Sequence, residues 1–313
     1  MKIVNLRNVV FAGALVVLGA LLVTPNLTVR AADDESELKT HIQLSPTKDR
    51  QELKPGQQFE GSFNIYNRGT EPFDFKVYVR PLTINENCTE NYEIPSDYTK
   101  MTEWVNLERN NYYNLKPEEV QNVKFTIDVP KNAPAGGQYV VIFAETGKID
   151  SSGNMAINVN ERVGYKFYAD LGGQNREAGQ VVSVKQGAWF WEPPINGYSE
   201  VRNSGNVDFA ETYTYTITGL TGKKVYEHAQ TEDVLPETCR RIRQEWKQTP
   251  AFGVFWVENK INFLNKEQFK EKKLVIVIPI YIVVIFSIVI ALLIWALVTK
   301  IKSNRVKFNT GKG

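Results

Sequence analysis

The stretch Leu235-Pro236-Glu237-Thr238-Cys239 differs at one residue from LPxTG, the signal by which a sortase attaches a chain covalently to a cell wall. Two features argue against that chemistry. Cys239 replaces the glycine, and 35 residues separate Thr238 from the apolar run that begins at Leu274, where a working signal needs its cleavage site close to the hydrophobic stop. Those 35 residues include the strand-like runs VFWVE and KINFL. Cys239 has one counterpart, Cys88. Outside the cytoplasm the two are permitted to pair, which requires Cα atoms within about 7 Å. They therefore stand either as an interdomain disulfide or as two buried or free thiols.

Other reactive groupings are sparse. His41 and His228 are the two histidines, and neither has the cluster of nitrogen or sulfur ligands that structural zinc requires. No G-x-S-x-G nucleophile elbow occurs. Glu118 and Glu119 are adjacent, and neighbours on a strand point to opposite faces, so they read as a solvated turn. Gly172-Gly173 is not followed by the Lys-Ser/Thr helix of a phosphate loop and reads as a hinge. The expectation is a protein that is not an enzyme, with no catalytic, cofactor or metal site.

Aromatic residues are better candidates for interaction. Trp189-Phe190-Trp191, on a strand, would put Trp189 and Trp191 on one face and Phe190 on the other. One side would enter a core while the other meets the first domain or a partner, because large exposed apolar patches mark contacts. Trp104, Tyr112 and Tyr113 form a second group, able to stack on sugars or to anchor a protein partner. For both groups packing, in a core or between domains, is the default reading and ligand contact the alternative.

These residues must be carried by elements outside the two apolar ends. Lys2 and Arg7 precede the run Val9 to Val23, and Val29-Arg30-Ala31 supplies small residues before a cleavage point, so residues 1–31 are expected to be a secretory signal peptide. Residues 274–298 carry no charge and are long enough to cross a bilayer once. Residues 299–313 hold five basic residues and no acidic one, which makes them a cytoplasmic tail under the positive-inside rule. The expected location is the cell membrane, with the large domain outside. Lys266 to Lys273 reads as a polar spacer, or as a contact for anionic head groups. Setting aside the basic residues of leader and tail, the exported part has an acidic excess of about six, although the whole chain is +2. A nucleic-acid partner is excluded on that charge.

Between the ends, apolar and polar residues alternate at the period of a half-buried strand. Examples are FEGSFNIYN, FDFKVYVR, VKFTIDV, QYVVIFAE, MAINVNERV and GYKFYA. Turn signals such as Lys54-Pro55-Gly56 and Pro134-Ala135-Gly136-Gly137 punctuate them. The second half repeats three landmarks in order. Asn67-x-Gly69 matches Asn203-x-Gly205, Leu115 to Glu119 matches Leu235 to Thr238, and Gly136 to Tyr139 matches Gly253 to Phe255. The fold class is thus all-β: two tandem immunoglobulin-like antiparallel sandwiches, at 40–173 and 178–266, plus one C-terminal transmembrane helix. By this plan LPETC is the turn before a strand that carries Arg241, Arg243 and Trp246.

The first sandwich resembles the N-terminal domain of the WxL-interacting surface proteins of Gram-positive bacteria. The resemblance lies in LKPGQQFEGSFNIYNRGTEPFDFKVYV, in EWVNLERNNYYNLKPEEVQNVKFTIDVPKNAPAGGQYVVIFAE and in INVNERVGYKFYADLGG, together with the layout of leader, two sandwiches, span and basic tail. It covers about residues 42–173 well and 180–265 more weakly. The chain departs from it in the insertion TINENCTENYEIPSDYTKM and in a shorter second domain. The resemblance implies a non-catalytic surface protein that binds the wall polymer peptidoglycan and partner surface proteins and contacts host proteins, the last being the role on which the two departures bear most. A second reading is an assembly protein whose edge strand accepts a strand from a pilus or surface-layer subunit.

Overall fold

The computed structural model describes residues 39–147 and 161–310. The leader and most of MAINVNERV lie outside these residues.

The first sandwich is built from β1 (Ile42–Ser45), β2 (Lys48–Glu52), β3 (Gln58–Asn67), β4 (Phe73–Pro81), the short pair β5 (Thr83–Ile84) and β6 (Glu90–Asn91), then β7 (Val105–Leu107), β8 (Asn111–Leu115), β9 (Val120–Asp128), β10 (Gly137–Thr146) and β11 (Arg162–Asp170). Its sheets have the orders β1-β3-β9-β7 and β2-β11-β10-β4-β8. The second sandwich comprises β12 (Gly179–Gln186), β13 (Trp189–Phe190), β14 (Ile195–Asn203), β15 (Phe209–Gly219), β16 (Lys224–Val234), β17 (Cys239–Trp246), β18 (Gly253–Phe263) and β19 (Lys266–Val277). Its sheets run β12-β14-β17 and β13-β19-β18-β15-β16. In each sandwich the first strand switches sheets and adds in parallel to the last, β2 to β11 and β13 to β19. Two immunoglobulin-type sandwiches of one plan follow from this order.

The alternation in sequence is the alternation in burial. Phe63, Ile65, Phe75, Val77, Val123, Phe125, Ile127 and Phe167 fill the first core, each contributing roughly 1.5–3 kcal/mol when fully buried. Strand β10 departs from the pattern, because both its faces are covered. The second cover is the insertion Thr83 to Met101, which forms β5, β6 and a 3-10 helix (Asp97–Glu103). It lays Tyr92 edge-on against Phe143 at 4.9 Å, and the Met101 amide donates to Gln138 Oε1.

The repeated landmarks have one physical cause. Asn67 ends β3, is fully buried, and donates from Nδ2 to the carbonyls of Glu71 and Leu115 while accepting from the Gly69 amide. Asn203 ends β14 and does the same with Val207, Val234 and Gly205. The turns that follow put Glu118 and Glu237 at φ 61° and 57°, the same left-handed position. Gly137 and Gly253 open β10 and β18 where a Cβ would collide with the ring two residues on, Tyr139 and Phe255.

The apolar run at 274–298 is not one element. Leu274 to Val277 belong to β19, where Val275 and Val277 are buried in the second core. The sandwich therefore extends to Val277, beyond the expected 266, and Lys266 to Lys273 is a sheet strand instead of a spacer. The helix α1 (Ile280–Thr310) begins after Pro279 and continues into the basic tail. Its segment Ile280–Lys300, 21 residues, is long and apolar enough to cross a membrane, at roughly 30 Å.

Candidate partner-binding site

Two regions concentrate unusual structure: the junction between the sandwiches and the free edge of the second one. The junction is built from the inserted segment. Cys88, in the β5–β6 turn, is joined by a disulfide to Cys239 at the start of β17, with Cα atoms 5.1 Å apart. The interdomain alternative is therefore the one realised. Leu82, Tyr139, Tyr168 and Leu235 form a buried cluster beside it, so the leucine of LPETC is a contact between domains.

Charged groups complete the joint. The Arg50 guanidinium holds Asp208 with two bonds, Nη1 to Oδ1 at 2.8 Å and Nη2 to Oδ2 at 2.5 Å. This is the planar, bidentate geometry that makes such pairs strong. Tyr139 O–H donates to Asp208 Oδ1 at 2.9 Å and accepts from the Asp208 amide at 3.0 Å. Burial, then the Asp208 charge, hold the Tyr139 phenol well above its usual range, so it stays a donor. Lys48 reaches Asp233 at 2.7 Å. Glu90, on the insertion, accepts from Lys166 at 2.6 Å and from Tyr92, with Arg240 at 3.4 Å. Burial alone would raise the Glu90 carboxyl; Lys166, Tyr92 and Arg240 outweigh it and hold it below the usual carboxylate range. Tyr98 donates to Glu237 at 3.1 Å. At Gly136, φ is +98° and a Cβ would fall 2.5 Å from the Asn206 carbonyl, so the backbones of the two domains approach where no side chain fits.

Opening the disulfide should loosen this joint without unfolding either sandwich, each of which has its own core. In the Cys88→Ser/Cys239→Ser variant, amide exchange in Leu82 to Tyr92 and Leu235 to Cys239 should quicken about tenfold, because closure of a long loop no longer holds the contacts together. Unchanged exchange there, measured by mass spectrometry, would mean the ion pairs suffice.

The free edge follows from comparing the two sandwiches. In the first, the connection from β4 to β8 carries β7, which pairs with β9 from Phe125 to Ile127. In the second, β15 turns directly into β16 through Gly219 to Lys223, and among the described residues no strand lies in the place of β7. The corresponding edge belongs to β17. Side chains of β16 lie across its flank: Tyr226 O–H donates to the Glu245 carbonyl, His228 Nδ1 pairs with Gln244 Oε1 at 2.8 Å, and Gln244 donates to Gln230. Arg240, Arg241 and Arg243 line the strand itself, the kind of charge that discourages indiscriminate edge pairing.

The sequence candidates separate. Tyr112 is buried and stacks on Phe75 at 4.7 Å, so it offers no platform; Trp104 is partly buried with its ring packed against the first core, and Tyr113 is exposed. Phe190 is the side of the Trp-Phe-Trp run that turns toward the second core. Trp189 and Trp191 do not meet the first domain. β13 pairs with the last residues of β19, at the end of the sandwich opposite Asn203 and Cys239, and both rings are about half exposed. Sequence reasoning did not find the edge of β17, because its openness depends on a counterpart of β7 that the described residues of the second sandwich lack; the short Gly219 to Lys223 turn, set against the long β4–β8 connection, was the available signal. His41 lies 3.7 Å from Glu161. Among the described residues no group of three or more His, Cys, Asp or Glu converges as metal ligands.

No protein-family model and no curated protein matches this chain. Among solved structures, the chain is similar to the class 5 fimbrial chaperone CfaA, at 16% identity over 76% of this chain and all of that one, with a TM-score of 0.38. It is also similar to a chain of the CsuC–CsuE chaperone and tip-subunit complex from the archaic Csu pili of Acinetobacter baumannii, at 12% identity over 74% and 98%, TM-score 0.40. A PapD-like domain of human CEP192 matches 48% of this chain and 96% of its own at 10% identity, TM-score 0.30.

Proposed function

We propose that this protein is a non-catalytic, membrane-anchored surface protein whose second sandwich holds another surface polypeptide by strand addition. The observation that supports it is the edge of β17, unpaired by backbone where the first sandwich carries β7. A strand added there would complete the four-stranded sheet seen in the first sandwich, with main-chain bonds giving affinity and alternate side chains giving selectivity. The flank it would cover is lined by Tyr226, His228 and Gln230, so the side chains of the partner that turn inward are polar or small. The fixed joint then sets the direction in which that strand leaves. Helix α1 anchors the ectodomain outside the cell with its basic end in the cytoplasm, and the layout supports a kinship with WxL-interacting proteins. Wall-polymer binding is the weaker reading, since of its three proposed stacking residues Tyr112 is buried and Trp104 is packed against the first core, which leaves Tyr113 as the exposed ring.

A photo-crosslinking residue at Arg243 in the full chain, expressed in its host, should capture a surface polypeptide. The same probe at Lys270, on the outer face of β19, should not. With that partner bound, exchange of amides in Cys239–Trp246 should slow at least about tenfold; a bound partner that leaves those amides unchanged would defeat the strand-addition reading.

A further inference from the structure

One end of the second sandwich is apolar on its outside. Trp189 and Trp191 are 45% and 49% exposed and pack edge to face on each other at 5.3 Å. Phe252, 66% exposed, lies in the turn before β18, and Leu274 is exposed on the outer face of β19. Further along the same outer face the side chains become charged or hydroxylic, with Lys270 paired to Glu258 and Thr214 and Thr216 beside them. The apolar character is thus confined to one end.

That end is where the chain enters α1. Trp189 lies beside Ile276 and Phe190 beside Val277, and Gly253, next to Phe252, is opposite Val277. The Phe190 carbonyl accepts from the Ile278 amide at 3.0 Å, which fastens the tryptophan pair two residues before Ile280. Three Cα steps separate Val277 from Ile280, a reach of at most about 11 Å. If α1 spans a bilayer, these rings lie at head-group depth. Tryptophan is favoured there because its ring is apolar and its N–H still finds water.

We infer that Trp189, Trp191 and Phe252 form a membrane-contact collar, by which the second sandwich rests on the lipid interface beside its own helix instead of swinging freely above it. This rests on the anchoring role proposed for α1. A patch held this close to a bilayer has one occupant within reach at all times, the lipid itself. Contact at two places, helix and collar, fixes the tilt of the sandwich relative to the membrane.

The test uses the full chain carrying Trp295→Phe, which removes the indole of the helix, reconstituted in phosphatidylcholine vesicles with lipids brominated near the head-group end of the acyl chains. Bromine quenches indoles at that depth. The quenched fraction of emission should be about twofold smaller once Trp189→Phe and Trp191→Phe are added, and about midway with Trp191→Phe alone. Equal quenching in all three proteins, each still retained in carbonate-washed vesicles and melting at the same temperature, overturns the collar and leaves the anchor standing. Release of the protein by carbonate overturns the anchor, and the collar with it.

Discussion

Asn203→Ala is expected to destabilise the second sandwich by about 4 kcal/mol, because three buried backbone partners lose their bonds together and each orphaned group costs about 1–3 kcal/mol. The Val207 and Val234 carbonyls and the Gly205 amide have the Asn203 side chain as their partner, and the residue is fully buried, so water does not replace it. Asn203→Asp should be worse still, since it turns a carboxylate toward two carbonyl oxygens. The same backbone position holds the Thr238 carbonyl through its amide at 2.9 Å. Loss of the side chain therefore also loosens the turn that presents Leu235 and Cys239 to the junction. Asn67→Ala should cost about as much in the first sandwich, by the same count of groups. Denaturant titration of each variant measures this; a loss below about 1 kcal/mol at either site would show that the duplicated asparagine is not the tie described.

Glu211 gives the second large effect, and it depends on pH. The residue is fully buried in β15, accepts from Ser199 O–H at 2.8 Å through Oε1, and has no partner for Oε2. Burial raises its carboxyl from 4.5 to about 7, with Ser199 and Arg240 opposing and Glu232 assisting. Since the folded pKa lies above the unfolded one, the folded state binds more protons between those values. Stability is therefore greatest below about pH 4.5, as far as this group is concerned, and falls as pH rises to about 7, by on the order of 3 kcal/mol. Glu211→Gln should remove that slope. Relative to the parent it should be nearly neutral at pH 5 and clearly more stable at pH 8. Parallel denaturation curves for the two proteins across pH 5 to 8 would contradict the assignment.

Local pattern made much of this fold legible. FEGSFNIYN and VKFTIDV carry their burial in plain alternation, and Asn-x-Gly followed by a Pro turn marked the same construction twice. What stayed hidden depends on distant parts of the chain. QYVVIFAE reads as a one-sided strand, yet the Thr83 to Met101 insertion covers its other face. Leu274 to Val277 cannot be told from the helix by composition, since a buried strand and a membrane span are both runs of Leu, Ile and Val; Pro279 was the local mark of the boundary. The Cys88 and Cys239 bond joins residues 151 apart and exists only once the domains are docked. The exposure of Trp189 and Trp191 follows from where β13 joins β19, which periodicity does not specify.

The way β19 ends has a mechanical meaning. It runs from Lys266 near the junction to Val277 beside the helix, lies antiparallel to β18 over its whole length, and is flanked in parallel by β13 at its tip. Under the proposed function, with a partner held on β17 and α1 in a bilayer, a pull between the two would act along the axis of β19, while its hydrogen bonds to β18 lie across that axis. The load is shared by the whole ladder at once, in shear, and no end bond is exposed to be peeled first. A hairpin entered from the other end would unzip one rung at a time. The order of strands in the second sandwich therefore makes β19, the strand that leads into α1, the one best placed to bear tension.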